Sequence, residues 1–310
     1  LMPSSATGVT FANRLRDTRE LNVFAYRNYY NGGGVAIGDL TGDGLPELVL
    51  TANQAGPSLY LNRGAFAFRD VTKAAKLRSQ EGGWTTGVAL ADVNGDGRLD
   101  IYISRAGALA PEQRGNELWI HQGLDGDSVP TFGEVAAEWG VADRGYSIHS
   151  AFLDYDRDGD LDLIVINNSP RPVNSFGLRN TRHERDPHGG ARFYRNEGTR
   201  FTDVSAAAGI HSPEIAFALG VGVGDVNRDG WPDIYVANDF FERDYLYMNR
   251  GDGTFAEALD QQMPVLSYFS MGLDIADLNN DQWPDVYTTD MLPEDEHRYK
   301  TTSMFEGWDI

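Results

Sequence analysis

Five acidic stretches concentrate the chemistry of this chain. In DYDRDGDLD, Asp154 to Asp162, five aspartates crowd into nine residues beside one cation, Arg157. Charges packed that closely repel unless something positive sits among them. The pattern returns as DLTGDGLPE (39–47), DVNGDGRLD (92–100), DVNRDGWPD (225–233) and DLNNDQWPD (277–285). Position 1 is Asp, position 3 is Asp, Asn or Thr, position 5 is Asp and position 9 is Asp or Glu. Gly fills position 6 except in the last copy, which has Gln282.

Alternating oxygen donors in a tight loop suit a hard cation, and calcium takes about six to eight oxygens. The expected side-chain ligands are Asp39, Thr41, Asp43 and Glu47; Asp92, Asn94, Asp96 and Asp100; and Asp154, Asp156, Asp158 and Asp162. The last two loops offer Asp225, Asn227, Asp229 and Asp233, then Asp277, Asn279, Asp281 and Asp285. Position 7 (Leu45, Arg98, Asp160, Trp231 and Trp283) is expected to turn its backbone carbonyl inward, with Gly at 6 supplying a positive φ. An EF-hand closes with an acid at position 12 on a helix. Here the acid stands at 9 and strand-forming residues follow at once, so the loops read as calcium-binding β-hairpins. Up to five Ca2+ ions are expected, enough to halve the formal charge of -20. Magnesium suits such loops less well, because it prefers small octahedral sites and keeps several waters. The first and fifth loops are expected to bind most weakly, through Thr41 at position 3 and Gln282 at position 6.

Short strands must position these loops. Before each comes a small, apolar run (GVAIG, GVALA, HSAFL, GVGVG, GLDIA), and after each a β-branched and aromatic one (LVLTAN, IYISRA, LIVINN, IYVAND, VYTTDM). A third run follows (LYLNRG, LWIHQG, FYRNEG, LYMNRG), then a fourth ending in a helical turn (FRDVTKAAKL, FGEVAAEWGV, FTDVSAAAGI, with FAEALDQQM as a weaker copy). The loops start 53, 62, 71 and 52 residues apart, which is the length of a propeller blade or solenoid repeat. The expected fold is all-β, a β-propeller of four-stranded blades that is incomplete in this chain. Residues 1–30 form an N-terminal segment, whose stretch 7–13 is expected to add a ring-closing strand. Residues 31–310 carry the propeller.

Composition sets the outer limits. A net charge of -20 argues against nucleic acid and anionic membrane surfaces as partners. Having no Cys excludes disulfides, cysteine zinc sites and a thiol nucleophile. No apolar run reaches the ~18 residues a membrane span needs. The start at Leu1, without a leader, reads as a trimmed product whose signal or anchor is not in this chain.

The D-x-[DN]-x-D-G-x-x-D loops, their flanking strands and the LYLNRG…FRDVT units resemble FG-GAP/VCBS repeats, the repeats of integrin α-subunit propellers. NYYNGGGVAIGDLTGDGLPELVLTAN, LYMNRGDGTF and MGLDIADLNNDQWPDVYTTDMLPED resemble more specifically bacterial exported proteins of the ASPIC/UnbV, cartilage-acidic-protein-like group. The resemblance runs from about residue 7 to residue 294. It implies a calcium-loaded propeller, extracellular or on the cell surface, serving interaction, adhesion or assembly, with a protein or glycan partner. It implies no single activity. Five loops, where such propellers usually have seven or more blades, suggest a fragment or an assembly completed by self-association.

Other motifs read less sharply. Arg250-Gly251-Asp252 is a formal RGD, but its setting, NRGDGTF, is a strand-to-strand turn. Residues 167–192 form a basic insertion carrying Arg171, Arg179, Arg182, His183, Arg185, His188 and Arg192. It reads as a solvated loop balancing nearby acids, or as a recognition loop for acidic groups. Phe24, Tyr26, Tyr29 and Tyr30 read as packing between blades, with sugar stacking as the alternative. The spacing of HERDPH, broken by Pro187, excludes a helical zinc motif. His149 reads as a core or channel-facing residue. No acid–base or nucleophile set stands out. The expected function is a calcium-structured interaction module, and the alternative is a propeller enzyme or lectin acting on polysaccharide, lyase or hydrolase in type.

Overall fold

The computed structural model describes residues 2–79, 82–169, 171, 175, 180–240, 242–267 and 269–290. They form five antiparallel sheets, each pairing its strands in chain order. The first holds β1 (Val35–Gly38), β2 (Glu47–Ala52), β3 (Gly56–Asn62) and β4 (Phe68–Asp70). The second holds β5 (Thr85–Ala91), β6 (Asp100–Arg105), β7 (Glu117–Leu124) and β8 (Pro130–Glu134). The third holds β9 (Ser147–Leu153), β10 (Asp162–Asn167), β11 (Arg192–Asn196) and β12 (Phe201–Asp203). The fourth holds β13 (Ala218–Gly224), β14 (Asp233–Asn238), β15 (Tyr245–Asn249) and β16 (Phe255–Glu257). The fifth is a hairpin among the described residues, β17 (Ser270–Ala276) with β18 (Asp285–Asp290).

This is the all-β architecture of propeller blades, in an incomplete set. Every acidic loop joins the first and second strands of its sheet, as the flanking sequences require. The helical turn expected after the fourth strand is present in the second sheet (Ala136–Trp139) and the fourth (Leu259–Gln262). FAEALDQQM, the weaker copy, therefore behaves as a full one. Thr7 to Asn13 contains no strand. Its Asn13 amide instead donates to the Asn53 side chain at 2.6 Å.

The chain divides into two compact units. One comprises the described residues up to Val165 with Phe193–Val204; the other comprises those of Ile166–Arg192 and from Ser205 onward. Inside the first, the small residues of each opening strand let the next sheet approach closely. A Cβ on Gly34 would lie 2.8 Å from the Val88 nitrogen, and one on Gly87 2.6 Å from the Ile148 carbonyl oxygen. Leu40, Val49, Leu59 and Leu61 of the first sheet thereby pack with Val88, Ile101, Ile103 and Trp119 of the second. Val93, Tyr102 and Leu118 pack in turn with Leu163, Val165 and Tyr194 of the third. In the second unit Tyr235 and Leu246 pack with Leu273, Ile275 and Val286 of the hairpin.

The first sheet has one uncovered face. Val35 and Ile37 occupy the places of Val88 and Leu90 in the repeat, yet they are 61% and 63% exposed where Val88 is 3%. Of the N-terminal aromatics, Tyr26 and Tyr29 are buried against Trp84, whereas Phe24 and Tyr30 are exposed. The packing role read for that cluster holds for the first pair only.

A buried ion pair braces the second sheet. Arg105 Nη1 donates to Glu117 Oε1 at 3.0 Å, and the other Glu117 oxygen accepts from Ser79 at 2.6 Å and from Trp119 Nε1 at 3.1 Å. Removing one charge of such a pair leaves the other buried without its counterion. Glu117→Ala is expected to cost about 3 kcal/mol or more in urea unfolding, well beyond the loss of one surface contact.

Candidate metal loops

All five loops share one scaffold of backbone hydrogen bonds. The position 1 carboxylate accepts the N–H of position 6 through Oδ2, at 2.8, 2.7, 3.2, 2.8 and 2.9 Å in chain order. Position 5 accepts the N–H of position 7 through Oδ1, from Leu45, Arg98, Asp160, Trp231 and Trp283 at 2.8, 3.0, 2.9, 2.8 and 2.8 Å. The chain turns through positive φ twice per loop. Position 6 was expected; position 4 was not, and it holds Gly42, Gly95, Arg157, Arg228 and Asn280. The glycines at 42 and 95 and the Asn at 280 are the sequence signal for that second turn, while Arg157 and Arg228 conceal it.

Position 9 has a role beyond closing the loop. Glu47 accepts the N–H of Leu40 at 2.8 Å and of Asn62 at 3.2 Å, one on each oxygen. Asp100 accepts Val93 and His121, Asp162 accepts Tyr155 and Asn196, and Asp233 accepts Val226 and Asn249, all between 2.7 and 3.1 Å. Asp285 accepts Leu278 at 3.0 Å. In four sheets one buried carboxylate therefore ties its loop to the third strand. Burial pushes Glu47 up, Asp100 and Asp233 up to about 6, and Asp162 up to about 7, against the pull of those N–H groups.

The loops differ in how well they suit a cation. Where position 3 is Asn, its amide donates to the position 5 carboxylate: Asn94 to Asp96 at 3.1 Å, Asn227 to Asp229 at 2.8 Å and Asn279 to Asp281 at 3.0 Å. Position 1 Oδ1 then accepts the position 5 N–H, at 3.0 Å for Asp92 and 3.1 Å for Asp225 and Asp277. Arg98 also pairs with Asp96 at 2.6 Å. In the first loop Asp39 gathers the N–H groups of Gly44, Gly42, Thr41 and Asp43, which outweigh its burial and hold it below the usual carboxylate range.

The third loop has Asp156 at position 3, which cannot donate. In the Asn loops the position 5 N–H donates to positions 1 and 3 together; Asp158 N–H keeps only the second of these, to Asp156 at 3.4 Å, and Asp154 Oδ1 is left buried without a hydrogen-bond partner. Oxygens of Asp154, Asp156 and Asp162 lie within 4.8 Å of one another, the single such group of three among the described residues. Burial, then the charges of Asp158 and Asp154, push Asp156 up. An orphaned oxygen in a convergent carboxylate set fits a hard cation. The other four loops place their donors on one hairpin but satisfy them with N–H groups.

The remaining motifs are occupied by structure. Gly251 of the RGD lies under the Trp231 ring, and Asp252 accepts Thr254 N–H at 3.0 Å and its hydroxyl at 2.6 Å. In the basic insertion Arg171 pairs with Glu214 at 2.5 Å and Arg182 with Glu242 at 2.6 Å. Arg185 donates to the Ile210 carbonyl at 3.0 Å, and Arg192 to the carbonyls of Gly189, Ala191 and Asp186. Arg179 lies outside the described residues. His183 meets His211 edge to face at 5.5 Å. His149 sits on β9, where burial lowers its pKa.

The sequence matches the FG-GAP-like repeat family over residues 39–103, 184–236 and 225–288, more than half of the chain. The chain belongs to that family. The matched stretches include four of the acidic loops, and the third loop lies between them. Human cartilage acidic protein 1 is 27% identical over 263 residues, covering 82% of this chain and 38% of the relative. The Xenopus tropicalis cartilage acidic protein 1 is 26% identical over 272 residues, covering 82% and 39%. The chain thus spans under two fifths of the length of these relatives. Among solved structures, an Agrocybe aegerita lectin described as recognising non-reducing terminal N-acetylglucosamine superposes with a TM-score of 0.41 at 17% identity. It covers 82% of this chain and 59% of the lectin. No described helix is long and apolar enough to cross a membrane.

Two outcomes are expected from the loop geometry. Gln282 holds φ 71, a conformation a glycine takes freely, so Gln282→Gly should stabilise the fifth hairpin by about 1 kcal/mol, read by hydrogen exchange of β17 and β18. The second concerns pH. The raised folded-state values of Asp100, Asp162 and Asp233 give the calcium-free fold a contribution that is fully present below the ordinary carboxylate pKa of about 4. That contribution is lost as pH rises through about 6 to 7. Thermal unfolding in chelator should therefore show a higher melting temperature at pH 5 than at pH 8.

Proposed function

We propose that the chain is a calcium-stabilised propeller module of an extracellular or cell-surface protein, and that it works by presenting surfaces to a partner. The observation carrying this reading is the third loop, where three carboxylates converge around the orphaned Asp154 Oδ1. Asp154, Asp156 and Asp162 would hold the ion there, with Asp158 beside them. The corresponding acids of the other loops would turn from their N–H partners toward a cation. Bound calcium would supply positive charge where the folded chain otherwise holds like charges together. Its role is structural, and the chain's own contribution is a set of rigid hairpin ends.

The extracellular setting draws support from the family and from the likeness to cartilage acidic proteins, whose name places them in cartilage. The described arginines of the insertion bind carbonyls and carboxylates of the fold, so neither the interaction reading nor the polysaccharide-enzyme alternative rests on them. One ion at a hundredfold excess over its Kd adds about 2.7 kcal/mol to stability. Calcium is therefore expected to raise the melting temperature of chelator-treated protein by about 5 °C or more. The double variant Asp154→Asn/Asp156→Asn should lose part of that rise. An unchanged melt on adding calcium to wild type would reject the reading.

A further inference from the structure

Four of the five sheets fill a pair of acceptors that the fifth leaves empty. On each third strand one residue gives its N–H to the position 9 carboxylate. Asn62 donates to Glu47 Oε1, His121 to Asp100 Oδ1, Asn196 to Asp162 Oδ1 and Asn249 to Asp233 Oδ1, at 3.2, 2.7, 2.9 and 2.8 Å. The three asparagines also donate Nδ2 to the position 8 carbonyls of Pro46, Leu161 and Pro232, at 2.9, 3.1 and 3.2 Å. Asp285 takes only the Leu278 N–H, on Oδ2. Its Oδ1 and the Pro284 carbonyl have no such donor among the described residues. The fourth and fifth loops both end in Trp-Pro-Asp, 231–233 and 283–285, so the empty pair is built like a filled one.

β18 is correspondingly bare. All six residues of β14 are buried and none of the six of β18 is; Tyr287 is 57% exposed where Tyr235 is 2%. Among the described residues β18 pairs with β17 alone. An unpaired strand edge is a template for another strand. The four filled sheets define the strand that fits: LYLNRG (59–64), LWIHQG (118–123), FYRNEG (193–198) and LYMNRG (246–251). Each runs Leu or Phe, an aromatic, any residue, Asn or His, any residue, Gly. That Gly has positive φ in all four, and its N–H closes on the Asn oxygen or the His121 Nδ1 at 2.9 to 3.0 Å. Glycine adopts such backbone freely, so donor and glycine go together.

In each filled sheet the donor follows its acceptor along the chain, by 15, 21, 34 and 16 residues. Residues 291–310 contain no Asn, and their one His, His297, is followed by Arg298 and Tyr299. We propose that the fifth hairpin is a strand acceptor, filled by a segment of this pattern that lies beyond residue 310 in the same polypeptide. The relatives leave length for it, since this chain spans under two fifths of theirs. A strand on the same chain stays near its edge at an effective concentration of about millimolar, which favours it over a separate molecule. Backbone pairing along β18 supplies the affinity, and Asp285 with Pro284 sets the register. Strand pairing does not depend on bound calcium, so this proposal and the calcium-stabilised module can fail separately.

The test is amide hydrogen exchange of β18 in the full chain, in chelator and in calcium, with a synthetic peptide copying residues 243–257. Without peptide, β18 should exchange at least about tenfold faster than β14. The peptide should slow β18 at least about tenfold, and its Asn249→Ala form should bind at least about fivefold more weakly. The same copy fused behind residue 310 through a Gly/Ser linker should protect β18 at every protein concentration. If β18 without peptide is already as protected as β14, this chain fills its own edge and the proposal fails. Protection that grows with protein concentration alone would replace it with a second copy as the occupant. No protection by the peptide, equal binding of its Asn249→Ala form, or a fused copy that leaves β18 unprotected would also overturn it.

Discussion

A buried carboxylate at the ninth position of four of the loops sets the terms for the rest of the fold. Its two oxygens reach the loop's own second residue and, in the four complete sheets, the backbone of the third strand. Loop and third strand are therefore held by the same carboxylate. The cost is a charge held out of water, visible in the upward shifts of Asp100, Asp162 and Asp233. Two backbone N–H groups offset only part of it. A cation drawn to the same loop would meet an electrostatic demand the fold itself creates.

That demand is answered differently along the chain. Asn at position 3 lets a loop satisfy its acids internally, by donating to position 5. Asp at the same place removes that amide donor; the position 5 N–H there keeps its bond to position 3 and makes none to position 1, which leaves an oxygen of Asp154 bare. A single amide-to-carboxylate difference thus separates a self-satisfied turn from a loop shaped to take an ion. Repetition lets these differences be read side by side.

Much of this was legible in the sequence. Asp at 1 and 5 with Gly at 6, repeated between small and β-branched runs, was enough to place ten strands and five hairpins, because loop and flanks are local. The third and fourth strands followed from LYLNRG-type and FRDVT-type runs. What lay hidden depends on partners far along the chain. That Asp162 also holds Asn196 requires the third strand to be in place, and no spacing inside DYDRDGDLD reports it. The left-handed turns at Arg157 and Arg228 break the residue preference that reveals such turns. The arginines of the insertion looked available for a ligand because Glu214, Glu242 and the Ile210 carbonyl lie 25 to 60 residues away. Residues 7–13 have strand-like composition, yet the strand expected there is absent and Asn13 is held by Asn53 instead.

The most direct measurement is a count of bound calcium by equilibrium dialysis of the chelator-stripped full chain. Saturable uptake of at least one ion is expected, with the tightest site lost in Asp154→Asn/Asp156→Asn. No uptake at millimolar calcium would contradict the account. It would mean that backbone N–H groups alone suffice to hold these carboxylates, in the third loop as in the other four.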